Sequence, residues 1–101
     1  MLMAGEITIT RSEDASGGRY EARVAGRDGF GELTYSRRSG GRLSADHTGV
    51  DDSLRGTGVG KALVERLVDD ARGEQLKIIP RCSFVKALFQ RHREWSDVMD
   101  S

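Results

Sequence analysis

A glycine-rich stretch over residues 50–61, V-D-D-S-L-R-G-T-G-V-G-K, constrains the fold most, because of what flanks it. Upstream, Leu43, Ala45 and His47 alternate with Ser44, Asp46 and Thr48, the period of a half-buried strand. Downstream, Ala62, Leu63, Leu67, Val68 and Ala71 recur at helical spacing. The stretch therefore joins a strand to a helix N-terminus. A helix start carries unpaired N–H groups and the positive end of a dipole. Gly56, Gly58 and Gly60 let a ligand come close to that backbone, which makes an anion cradle with phosphate as the expected guest.

Spacing separates the known phosphate loops. In a Walker loop, G-x-x-x-x-G-K-[ST], aligned on Gly60 and Lys61, the first glycine falls on Arg55 and the hydroxyl position on Ala62. A dinucleotide fingerprint, G-x-G-x-x-G, puts its third glycine on Lys61 or on Leu63. Both patterns fail. The pattern that fits is R-x-x-G-x-G, with Arg55, Gly58 and Gly60, which resembles the coenzyme A pyrophosphate loop of the GNAT acetyltransferase superfamily. His47-Thr48-x-Val50, Arg55-Gly56-x-Gly58, Ile79-Pro80-x-Cys82-x-Phe84-Val85 and Arg91-His92 follow in that order. This series resembles the minimal, single-domain GNAT branch (YjdJ-type).

The resemblance implies an acetyl-CoA-dependent N-acetyltransferase with acetyl-CoA as cosubstrate and an amine as acceptor. Val50, Arg55, Gly56, Thr57, Gly58, Val59, Gly60 and Lys61 would hold the coenzyme. The alternative is a non-catalytic acyl-CoA-binding or protein-interaction module that keeps the loop without turnover. The resemblance also implies that the fourth and fifth strands part at Pro80, the pantetheine arm lying in the opening.

At 101 residues the chain is expected to form one domain over residues 1–101, a monomer or weak dimer. Its 16 basic and 16 acidic residues balance, in each half as well as overall, and no basic patch argues for nucleic acid. The one cysteine, Cys82, excludes an internal disulfide, and no metal-ligand cluster can be assembled around it. Residues 1–5 lack the features of a signal peptide, and no apolar run reaches membrane-spanning length, so a cytoplasmic location is expected.

Alternation over residues 6–10, 19–24, 30–36 and 43–50 predicts four strands, with Tyr20, Ala22 and Val24 facing inward. Asp28-Gly29 and the other short polar connections make them an antiparallel meander. A long helix is predicted from Gly58 or Val59 to Arg72, stopped by Gly73. Residues 76–79 form a fifth strand parallel to the fourth, ended by Pro80. Ser83 is expected to cap a second helix through about His92 that buries Phe84, Leu88, Val85 and Phe89, and residues 97–101 are expected to fray. The fold class is thus α+β: a mixed, mostly antiparallel five-stranded sheet with two helices, the GNAT arrangement.

Acetyl transfer needs a deprotonated amine, a polarised thioester and a route for the departing thiolate. Many GNAT enzymes place a tyrosine after the fifth strand for the last task, but Tyr20 and Tyr35 both lie on early strands. Cys82 stands in that region instead, as a proton donor, as a nucleophile that carries the acetyl group, or as a structural residue. His47, on the face of Leu43 and Ala45 if the strand is regular, is either the general base or a packed histidine. His92 is followed by Arg93, where members of the resembling branch commonly carry proline, and no catalytic role is carried onto it.

Overall fold

The alternating first half of the chain becomes a four-stranded antiparallel meander, and the strand beyond the long helix adds to it in parallel. The computed structural model describes residues Gly5–Asp100. The strands are β1 (Ile7–Glu13), β2 (Gly17–Val24), β3 (Phe30–Arg38), β4 (Arg42–Val50) and β5 (Lys77–Pro80), in the spatial order β1-β2-β3-β4-β5. Helix α1 (Val59–Gly73) crosses between β4 and β5, and α2 (Ser83–Arg91) follows β5. Single 3-10 segments occupy Asp52–Leu54 and Arg93–Val98. The architecture is the expected mixed α+β sheet with two helices. Neither helix is long and apolar enough to cross a membrane.

One face of the sheet makes the core. Tyr20, Ala22 and Val24 of β2, Leu33 and Tyr35 of β3, Leu43 and Ala45 of β4 and Ile78 of β5 are all buried. Against them α1 lays Val59, Leu63, Val64, Leu67, Val68 and Ala71, the stripe its 3.6-residue period puts on one side. Each large side chain so buried contributes about 1.5–3 kcal/mol. The start of α1 sits directly on β3 because Gly31 offers no side chain there: a Cβ would stand 2.6 Å from Val59 Cγ1.

Four local expectations are corrected. Gly73 is the last residue of α1 and not the left-handed stop beyond Arg72. The helix ends in a Schellman turn with Gln75 in the left-handed region (φ 58°), Leu76 N–H reaching Ala71 O at 2.8 Å and Gln75 N–H reaching Arg72 O at 3.3 Å. Ser83 is the first residue of α2, not its cap; Cys82 holds the cap position with no side-chain cap bond. Phe84 is exposed, because α2 turns Val85, Leu88 and Phe89 to the core instead. The C-terminal segment does not fray as far as it is described. Trp95 and Val98 are buried, Arg72 holds Asp97 at 2.8 Å, and Asp100 N–H bonds Ile78 O at 2.8 Å beside a parallel bridge between Ile78 and Met99. Ser101 lies outside the described residues.

The fourth strand is not regular. Tyr35 pairs with Ala45 but Thr34 pairs with His47, so Asp46 is an extra residue, a β-bulge. Its carboxylate accepts from Ser44 Oγ at 2.6 Å and Ser36 Oγ at 2.8 Å. Before the bulge Leu43 and Ala45 share the core face. After it, the partners of Leu33 and Gly31 are Thr48 and Val50, so these two take that face and His47 moves to the other.

Candidate active site

The glycine-rich loop is a helix start without a cap. Arg55 follows the 3-10 turn, Thr57 Oγ1 is tied back to Leu54 O at 2.5 Å, and Gly58 takes the N-cap position with φ 84°, a left-handed conformation that disfavours a side chain. The first helical bond runs from Ala62 N–H to Gly58 O at 3.0 Å, so Val59, Gly60 and Lys61 present N–H groups with no intrahelical acceptor. No side chain caps them and no acidic residue stands in the first turn. Val59 lends only its backbone, since its side chain is buried against Gly31. Arg55 and Lys61 are exposed, Arg55 lying 3.3 Å from Asp52. The donors and charges fit a pyrophosphate.

A second feature opens beside the loop. Pairing between β4 and β5 ends at Ala45 and Pro80, with Cys82 N–H bonding Ala45 O at 2.9 Å, while β4 continues to Val50. Over those last residues the β5 side of β4 has no partner strand. Asp51 N–H turns to Phe30 O at 3.2 Å; by alternation Thr48 and Val50 direct their backbone groups into the opening. The expected parting of the two strands at Pro80 is therefore in place.

Cys82 stands at the mouth of this opening. Its Sγ lies 3.5 Å from Thr48 Oγ1. Burial pushes the thiol pKa up, but the Thr48 hydroxyl and the backbone N–H groups of Val85, Phe84 and Thr48 outweigh it and hold the thiol below its ordinary range. The donors come from two elements, the post-bulge stretch of β4 and the first turn of α2. Thr48 is the residue that sequence reasoning passed over. Its signal was the parity of β4, which cannot be read without knowing of the bulge.

His47 is not brought to the thiol. It lies on the opposite face of β4, in a shallow hollow of about 360 Å³ lined by Phe30, Glu32, His47, Gly49, Val50 and Asp51. The expectation that it shares a face with Leu43 and Ala45 is overturned by the bulge. His92 stacks on Trp95 with ring centroids 4.3 Å apart, its Nδ1 3.0 Å from Glu94 Oε2, in a packing role. Tyr20 and Tyr35 are far along α1 from the loop: Tyr20 donates to Asp70 at 2.8 Å and Tyr35 to Glu13 at 2.7 Å. Burial first, and these carboxylates second, push both phenols up, so neither releases a proton near neutral pH. Among the described residues no group of three or more His, Cys, Asp or Glu side chains could hold a metal.

Comparison with known proteins adds independent observations. Residues 19–98 match the family described as GCN5-related N-acetyl-transferase. The chain is similar to the NMR solution structure of a GCN5-like protein from Staphylococcus aureus, at 33% identity and a TM-score of 0.73, over 93% of this chain and 88% of that one. No match was found among curated proteins.

Proposed function

We propose that this chain, a member of the GCN5-related N-acetyltransferase family, is an acetyl-CoA-dependent N-acetyltransferase in which Cys82 carries the acetyl group to an amine. The observation that carries this reading is the setting of Sγ, 3.5 Å from the Thr48 hydroxyl and at the N-cap of α2: both favour a thiolate, and a thiolate is a nucleophile rather than a proton donor.

The coenzyme's pyrophosphate takes the N–H groups of Val59, Gly60 and Lys61, with Lys61 and Arg55 supplying charge and Gly56, Thr57 and Gly58 shaping the turn. The acyl arm runs along the free edge of β4, where Thr48 and Val50 offer backbone groups. The Cys82 thiolate attacks the acetyl carbonyl, the bond from that carbon to the CoA sulfur breaks, and CoA leaves and takes a proton from solvent. A neutral amine then attacks acetyl-Cys82, the new C–N bond forms, the Cys82 thiolate departs, and the nitrogen's surplus proton goes to a base. His47 is the proposed base. Since it lies on the far face of β4, the acceptor enters from that side, across the strand edge.

The test uses acetyl-CoA alone, without acceptor. Intact-mass measurement is expected to find one acetyl group on the protein, absent from Cys82→Ala. A protein that binds acetyl-CoA by calorimetry yet stays unmodified, with undiminished turnover in Cys82→Ala, would overturn the nucleophile. Binding with no turnover on any amine would mark a non-catalytic acyl-CoA module.

A further inference from the structure

Phe84 lies against the phosphate loop in space and two residues beyond Cys82 in the chain. It is 40% exposed, one of two large apolar side chains left so among the described residues, although its neighbour Val85 is fully buried. Its ring tip rests on the backbone of the loop: a Cβ added to Gly60 would stand 2.7 Å from Phe84 Cζ and 3.1 Å from Cε2. Its main chain belongs to the first turn of α2, whose cap position Cys82 holds. One residue therefore sets its side chain on the phosphate end and its main chain in the turn that begins at the thiol. The exposed ring thus flanks the helix start with the free N–H groups of Val59, Gly60 and Lys61 and belongs to the turn that follows Cys82.

We propose that Phe84 is the contact for the arm linking pyrophosphate to thioester, and that it sets how tightly the site holds an acyl-CoA beyond what the phosphates contribute. This rests on the acyl-CoA reading of the site given above. The arm carries methyl and methylene groups between its amides, and covering an exposed aromatic face with such groups removes apolar area from water on both partners. Gly60 is part of the same device. It lets the ring settle against the helix start. A ligand with phosphates but no arm gains little from the ring.

The experiment compares CoA with ADP, which carries the pyrophosphate and no arm. CoA affinity is measured by calorimetry and ADP by competition against CoA, for the wild type, Phe84→Ala and Phe84→Leu. Phe84→Ala is expected to weaken CoA about tenfold and ADP by less than about twofold, and Phe84→Leu to keep most of the CoA affinity. The pH dependence of Cys82 alkylation serves as the control for an intact first turn of α2, and it should stay at the wild-type midpoint in both variants. Unchanged CoA affinity in Phe84→Ala would overturn the proposal while leaving the acyl-CoA reading standing. Equal losses for CoA and ADP, a displaced alkylation midpoint, or no competition by ADP in the wild type would overturn it as well. A wild type that binds no CoA would remove the acyl-CoA reading itself.

Discussion

The two ends of α1 are built on opposite principles. At the C-terminal end every charged group has a partner. Asp70 accepts from Tyr20 Oη at 2.8 Å, Arg11 at 3.2 Å and Arg66 at 3.1 Å; Glu74 takes Arg11 at 2.6 Å; Tyr35 and Arg37 close the network through Glu13. Arg11, held by Glu74 first of all, has its pKa pushed further up despite burial, so it stays charged. At the N-terminal end the N–H groups of Val59, Gly60 and Lys61 have no intrahelical acceptor, no side-chain cap and no carboxylate in the first turn. The contrast shows how a small domain carries an unsatisfied site: one end of the helix is fastened to β1, β2 and β3, so the other can present free donors without fraying.

The comparison is broken most severely by Asp70→Ala. It strips the shared acceptor from Tyr20, Arg11 and Arg66, and a half-satisfied network in a partly buried site costs about 2–3 kcal/mol. For a domain of this size the melting temperature should fall on the order of 10 °C. CoA affinity should hold, since no atom of the loop is touched. Calorimetric melting alongside CoA titration checks both halves of that statement.

The reverse experiment is Lys61→Glu. Residue 61 is the third of α1, and a glutamate there can reach back to the free N–H at the helix start, supplying the missing acceptor from within the chain. CoA affinity is expected to fall at least about tenfold, about 1.4 kcal/mol, while stability changes by less than about 0.5 kcal/mol. A variant that binds CoA normally would place the anion site elsewhere.

The smallest effect is expected from Thr48→Val. Losing the hydroxyl raises the pKa of Cys82, so the midpoint of its alkylation should move to higher pH, with the backbone donors still in place. A midpoint that stays put would mean that the α2 N–H groups alone hold the thiolate.

Much of this was legible in the chain. Tyr20, Ala22 and Val24 alternate and are buried; the loop joins strand to helix where its glycines demand it; Pro80 closes the β4–β5 ladder. What was not legible depended on non-local choices. Residues 43–48 alternate without a break, yet the register against β3 inserts Asp46 and sends His47 to the other face. Phe84 and Val85 are both apolar, and only the packing of α2 on β4 and β5 decides which of them the core takes. The C-terminal residues are too polar to announce a packed segment. They are pinned by Trp95, Val98 and a bond to β5, the last 22 residues away in sequence. Gly73 looked like the stop beyond α1, but the chain needs its reversal two residues later, and Gln75 accepts the left-handed conformation there.

The bulge at Asp46 has a consequence for inheritance. It is slack in the strand: loss of that one codon would leave Ala45 beside Tyr35 and His47 beside Thr34, with Thr48 still turned to the thiol. Only the hydrogen bonds from Ser36 and Ser44 would go. Gain or loss of a residue at any neighbouring position of β4 has no such reservoir and would exchange the occupants of the two faces. A lineage can therefore drift in length at Asp46 and keep its chemistry. A one-residue gap at that point between two related sequences is a sign of the same site, not of its decay.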